Sequence, residues 1–121
     1  MLKLAICEDN DIQCRQIHTL SCSSLEIPVE IDTFSSATDF LNQISNEQCP
    51  YHIILMDIEM SFVNGMEAAE GIRKLDHEVV IIFITNMPQY VMEGYKVQAF
   101  DYILKPITYF AFSKTINHAI E

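Results

Sequence analysis

Five short, mostly apolar segments punctuate the chain, Leu2–Cys7, Val29–Phe34, His52–Met56, Val79–Ile84 and Phe100–Leu104, and read as β-strands. Four stretches with helical signals lie between them, and a fifth follows the last strand. Helix starts are marked by Asn10 with Gln13, Ser36 with Asp39 and Asn64 with Glu67, each a short polar capping residue followed three positions later by a partner. Phe40 and Ile44, then Tyr109, Phe112 and Ile116, supply apolar faces at helical spacing, and a further helix is placed near Gln89–Tyr95. Strands alternating with helices predict an α/β fold, a parallel sheet with helices on both faces.

The strand patterns also predict an order. A strand covered on both faces reads as a continuous apolar run, whereas an edge strand alternates. The runs "LAIC", "IILM" and "VVIIFI" are continuous, while "VEIDTF" and "FDYIL" alternate. The first, third and fourth strands are therefore expected in the centre, giving the doubly wound, flavodoxin-like order 2-1-3-4-5 with five helices. In that order the chain reverses direction between the first and third strands. Ligands of such sheets bind beyond the carboxyl ends of the strands at that point, and those ends carry Glu8-Asp9 and Asp57.

Length and composition narrow the class. At 121 residues, half of them hydrophobic, residues 1–121 are expected to form one domain with a core that needs no staples. Cys7, Cys14, Cys22 and Cys49 show neither CxxC spacing nor a paired histidine motif, so they are read as buried thiols in a reducing compartment. No apolar run approaches the roughly 20 residues a bilayer requires, and a cytoplasmic location is expected. Seventeen acidic residues against seven Lys and Arg give a net charge of −10, which repels phosphate backbones. Direct binding of nucleic acid by this domain is not expected. His18, His52, His77 and His118 lack any paired metal spacing and are read as surface residues.

Three carboxylates gathered within roughly 5 Å repel by about 3 kcal/mol per pair at an effective dielectric near 20, so Glu8, Asp9 and Asp57 call for a proton or a cation. A hard divalent ion fits best. Magnesium prefers oxygen ligands and keeps several waters, with Asp9 and Asp57 as candidate direct ligands and Glu8 acting through water. Lys105 after the fifth strand and Thr85 at the end of the fourth are expected to face the same crevice. With the metal they could neutralise the oxygens of a phosphoryl group carried on Asp57, since a carboxylate is a competent nucleophile for acyl-phosphate formation. Pro106 admits a cis peptide after Lys105, with trans the default.

At this point the residues resemble the receiver domain of two-component response regulators over essentially the whole chain. The matching pieces are "CEDN" at 7–10, "ILMDIEM" at 54–60 with Gly65 eight residues after Asp57, "IFIT" at 82–85 and "FDYILKP" at 100–106. The resemblance implies that Asp57 accepts a phosphoryl group from a sensor histidine kinase. It further implies that Glu8, Asp9, Asp57 and the main-chain carbonyl of Glu59 arrange magnesium, that Lys105 contacts the phosphoryl group, and that Thr85 and Tyr102 form a switch pair. The face built from the fourth helix, fifth strand and fifth helix would then change its affinity for a partner or for another copy, with a homodimer as one outcome. Such a domain catalyses its own phosphorylation and dephosphorylation without being a conventional turnover enzyme.

The stretch "ITNMPQYVMEGYKVQAFDYILKP" is more similar to receivers of the LytTR type, whose regulators attach a DNA-binding domain after the receiver. A C-terminal effector beyond Glu121, with a transcriptional output, is the corresponding expectation. Some positions depart from the family pattern: Ser61 stands where a proline often follows Met60, and Asn86 and Met87 follow Thr85 where a small residue is frequent first. Glu59 and Met87 are expected to flank the path of attacking water and to set the phosphoryl lifetime.

Two other classes compete. "DIEMS" at 57–61 loosely resembles the nucleophile loop of haloacid-dehalogenase phosphatases, with Asp57 as nucleophile, although Glu59 replaces the second aspartate of that loop. A flavodoxin-like electron carrier shares the strand order, but "CEDND" after the first strand would repel a flavin phosphate.

Overall fold

The computed structural model describes residues 1–44, 49–60, 63–86, 88–90 and 92–120. Its elements follow the order β1 (Leu2–Cys7), α1 (Asp11–Ser24), β2 (Val29–Phe34), α2 (Ala37–Ile44), β3 (Ile53–Asp57), α3 (Gly65–Leu75), β4 (Val80–Thr85), two 3-10 turns (Pro88–Tyr90 and Met92–Val97), β5 (Asp101–Leu104) and α4 (Tyr109–Ala119). All five strands are parallel, in the order β2-β1-β3-β4-β5. The expected order and edge strands are those found.

The continuous apolar runs have a simple origin. Successive side chains of a strand point to opposite faces. Ala5, Cys7, Ile54, Met56, Ile81 and Phe83 therefore join one core, with Phe40 and Ile44 of α2 and Ala68, Ala69 and Ile72 of α3. Leu4, Ile6, Ile53, Leu55, Ile82 and Ile84 join the other, with Ile17 of α1 and Phe112 and Ile116 of α4. β3, covered on both sides, is buried along its whole length, whereas β2 alternates.

Local signals set the helix ends. The Asn64 side chain accepts from the Glu67 amide at 2.9 Å and the Glu67 carboxylate accepts from the Asn64 amide at 3.4 Å, a complete reciprocal cap. Ser36 accepts from the Asp39 amide at 3.0 Å, and Thr108 from that of Ala111 at 3.2 Å. Asn10 caps the Gln13 amide at 2.9 Å, but the Gln13 side chain does not return the bond, because Lys105 takes its oxygen instead.

The helical segment expected near Gln89–Tyr95 is built of 3-10 turns, not α-helix. Gly94 sits inside it, poor for helix propagation but required by its neighbour: a Cβ there would stand 1.7 Å from the Tyr102 hydroxyl. Small shifts of boundary accompany this. Phe100 lies just outside β5, 43% exposed, and β3 runs one residue further than expected, so that Asp57 itself pairs with Ile84.

The cysteines are all free, but only Cys7 and Cys49 are buried; Cys22 is exposed on α1, its sulfur 3.8 Å from Nδ1 of His18. The uniform burial expected of the thiols therefore fails on α1, where Cys22 is exposed and Cys14 only half-buried. All four histidines are exposed, as expected. No helix among the described residues is long and apolar enough to cross a membrane. Ser61 and Met87 lie outside the described residues.

One arginine ties the 3-10 segment to α3. Arg73 donates through Nε to the Val97 carbonyl at 2.6 Å, through Nη1 to Val79 at 2.7 Å and Asp76 at 3.3 Å, and through Nη2 to Gln98 at 3.0 Å. Gln98 holds a left-handed backbone at φ 52°, which turns its carbonyl toward that fork. Arg73→Met keeps the aliphatic packing and strips the four carbonyls of their donor. It should lower unfolding stability by about 2–3 kcal/mol in urea melts.

Candidate phosphoacceptor site

The site stands where the chain reverses. From β1 the chain passes outward to β2 and returns across β1 to β3, which opens a crevice above the carboxyl ends of β1 and β3. Glu8 and Asp9 follow β1 directly, and Asp57 is the last residue of β3. Ligand oxygens of these three side chains lie within 4.8 Å of one another. Glu8 and Asp57 are buried, at 2% and 4% exposure, while Asp9 faces solvent at the rim.

Lys105 closes the cluster from β5. Its ammonium donates to Glu8 Oε1 at 2.9 Å and to Oε1 of Gln13, and stands 3.5 Å from Asp57 Oδ2. The Lys105–Pro106 peptide is cis, against the trans default. The loop after β3 is shaped by the main chain: Met60 and Gly65 amides both donate to the Ile58 carbonyl, at 3.1 and 2.9 Å. A Cβ at Gly65 would stand 2.2 Å from the Asp57 carbonyl oxygen, so only glycine lets the start of α3 press this close to the acidic residue. The Glu59 amide reaches toward Asp57 Oδ1 at 3.4 Å, and the Glu59 side chain is exposed.

Thr85 is fully buried at the end of β4, beside the strand that carries Asp57, and its carbonyl accepts from the Lys105 amide at 2.9 Å. Tyr102 on β5 stacks on Phe83 with ring centroids 5.4 Å apart and lays its hydroxyl against the main chain of Gly94. Burial raises the Tyr102 hydroxyl above the usual tyrosine range. Thus Glu8, Asp9, Asp57 and Lys105 form one cluster. Thr85 is buried at the end of the strand beside β3, and Tyr102 on β5 lies against Gly94 of the 3-10 segment. The sequence reading missed one member. Gln13 enters it only as a capping partner, because nothing local marks a contact to a lysine 92 residues away.

The electrostatics follow from this geometry. Burial first, then the neighbouring Glu8 charge, push the Asp57 carboxyl up to about 7, against the opposing pull of Lys105. One ammonium cannot neutralise two buried carboxylates and a third at the rim. The donor set is entirely hard oxygen, partly buried and partly open to water, which fits magnesium better than a soft metal.

Residues 4–117 match the response regulator receiver domain, and the chain belongs to that family. Among characterised relatives, the sensory transduction protein LytT of Bacillus cereus is 31% identical over 108 residues, covering 88% of this chain and 42% of that protein. The transcriptional regulatory protein YpdB of Escherichia coli is 28% identical over 105 residues, covering 87% and 42%. The chain thus spans about two fifths of the length of these relatives, and the LytT match agrees with the expected LytTR-type branch. Among solved structures, the regulatory domain of MrkE from Klebsiella pneumoniae superposes with a TM-score of 0.86 at 24% identity, covering 98% of this chain and 95% of that one. The BeF3-activated DrrB receiver domain gives 0.85 at 20%, covering 99% and 97%. The protein is therefore a response regulator receiver domain of two-component signalling, and the haloacid-dehalogenase reading finds no support.

Asp57 makes a prediction about stability. Its folded-state value lies above the ordinary 3.8, so the stabilisation associated with its neutral form is complete below about pH 4 and is lost as pH rises through about 7. With divalent cations chelated, the wild-type chain should lose on the order of 3 kcal/mol relative to Asp57→Asn between pH 4 and 8. Urea melts of the two proteins across that range check this, and added magnesium should reduce the loss.

Proposed function

We propose that Asp57 is the phosphoacceptor and that its modification, taken from the histidine of a sensor kinase, shifts this domain between two states of its output face. The observation that carries the reading is the convergence of Glu8, Asp9 and Asp57 within 4.8 Å, with Lys105 Nζ 3.5 Å from Asp57 Oδ2. In the transfer, an Asp57 oxygen forms a bond to phosphorus, the phosphorus–nitrogen bond of the phosphohistidine breaks, and the departing imidazole takes a proton from water. Magnesium, when bound, neutralises phosphoryl oxygens and the acidic cluster together. Asp9, Asp57 and the main-chain carbonyl of Glu59 would hold it, with Glu8 acting through water. Lys105 supplies a second positive charge to the transferred group.

A phosphoryl group adds nearly two negative charges and three strong acceptors at Asp57. The Thr85 hydroxyl is drawn toward it, and Tyr102 follows into the space released. The Tyr102 hydroxyl rests on Gly94, so a move of Tyr102 frees the 3-10 turns and re-forms the face they share with β5 and α4. That face exposes Met92, Tyr95, Phe110 and Leu104, apolar surface available to a partner, an effector domain or a second copy. Residues Glu59 and Met87 are assigned to the control of phosphoryl lifetime. The net charge of −10 argues against nucleic-acid binding by this domain, and an effector joined after the receiver, as in LytTR-type regulators, would carry a transcriptional output in the cytoplasm.

Incubation with a small phosphodonor and magnesium should label the chain stoichiometrically on Asp57, located by peptide mapping. Asp57→Asn should remain unlabelled, and steady release of phosphate from a phosphomonoester should be absent. Labelling of Asp57→Asn at full yield would refute the assignment.

A further inference from the structure

Four hydrogen bonds around the acidic cluster form a closed circuit. Glu8 Oε2 accepts from the Asn10 amide at 3.2 Å; Asn10 Oδ1 accepts from the Gln13 amide at 2.9 Å. The Gln13 side-chain oxygen accepts from Lys105 Nζ, and the same ammonium donates to Glu8 Oε1 at 2.9 Å, which returns to the starting carboxylate. The ring joins the turn after β1 and the first turn of α1 to the end of β5, where Lys105 lies 97 residues from Glu8 and 92 from Gln13.

An ammonium group has three N–H donors. Two are taken by Glu8 and Gln13, and the distance of 3.5 Å from Nζ to Asp57 Oδ2 is longer than a good hydrogen bond. The lysine is thus fixed by two oxygens at the flank of Asp57 instead of collapsing onto it. The two tethers differ in kind. Glu8 offers a charge, whereas Gln13 offers a neutral amide oxygen, which fixes direction while leaving the lysine's charge uncompensated on that side. A fourth carboxylate in its place would add to a cluster already over-supplied with negative charge.

We infer that Gln13 is a positioning residue for phosphoryl recognition: it holds Lys105 in place before an anionic group reaches Asp57, so that the third N–H is free for an incoming oxygen. This rests on the phosphoacceptor reading of Asp57 and adds to it a residue that touches neither metal nor phosphoryl group. Preorganisation of this kind acts on binding of the anion, because the cost of ordering a long, flexible side chain is met during folding. Without Gln13 the lysine keeps Glu8 and the longer contact to Asp57, and samples more rotamers.

The test uses beryllofluoride as the phosphoryl mimic and magnesium alone as the control, both titrated by NMR on the intact chain. Gln13→Met, similar in length and without a strong acceptor, and Gln13→Leu, as a second variant, should each weaken beryllofluoride binding about tenfold at saturating magnesium. Their affinity for magnesium alone should stay within about twofold of wild type, since every metal oxygen is retained. The Lys105 ammonium signal, protected in wild type, should broaden in both variants. Unchanged beryllofluoride affinity would overturn the inference, and so would an equal loss of magnesium affinity, which would make Gln13 a general structural residue. A wild-type chain indifferent to beryllofluoride would instead overturn the phosphoacceptor reading itself.

Discussion

Two buried carboxylates, Glu8 and Asp57, with Asp9 at their rim and, among the described residues, the single ammonium of Lys105 paired with them, define the electrostatic constraint on this domain. Folding gathers more negative charge than Lys105 can balance. The imbalance is visible in Asp57, whose carboxyl is held near neutrality by burial and by the Glu8 charge. The apolar sheet supplies the energy to keep this arrangement, because β3 is buried on both faces and carries Asp57 on its last position whatever the charge costs there. A divalent cation relieves the site, and that cation together with Lys105 can then receive the oxygens of an anionic group at Asp57, which is the physical basis for reading it as a phosphoacceptor.

The surrounding parts set that geometry in order. Gly65 lets α3 begin against the Asp57 main chain, and Thr85 sits fully buried on the neighbouring strand. Tyr102 bridges from β5 to Gly94 over Phe83. Arg73 then pins the far end of the 3-10 segment through the Val97 and Gln98 carbonyls. The proposed switch would connect charge at Asp57 with shape at the outer face across the adjacent strands β4 and β5, with one end of the 3-10 segment anchored by Arg73. Such an arrangement suits a two-state switch better than a gradual one, because close-packed groups have few intermediate positions.

Much of this was legible in the sequence, for identifiable reasons. The runs at 4–7, 53–56 and 81–84 are apolar on both strand faces, which fixed the central strands and hence the reversal point that gathers Glu8, Asp9 and Asp57. Asn64 and Glu67 announced α3 by a local exchange of hydrogen bonds. Gln13 was not legible, since its partner is Lys105 and a capping pattern explains its position equally well. The 3-10 form of the segment before β5 was hidden for a similar reason. Gly94 is there to admit the Tyr102 hydroxyl, and Arg73 reaches it from α3, so its conformation is decided by tertiary contacts and not by its own propensity. Cys22 escaped the burial expected of a thiol because helix faces, not residue type, decide exposure on α1.

Proton release on metal binding tests the central claim most directly. A cation entering between Glu8, Asp9 and Asp57 must displace the proton that Asp57 retains near neutrality. Calorimetric titration of magnesium in buffers of different ionisation enthalpy counts that proton. The account predicts release of about half a proton at pH 7, more at pH 6 and little at pH 8. Magnesium binding without proton release at any of these values would contradict it.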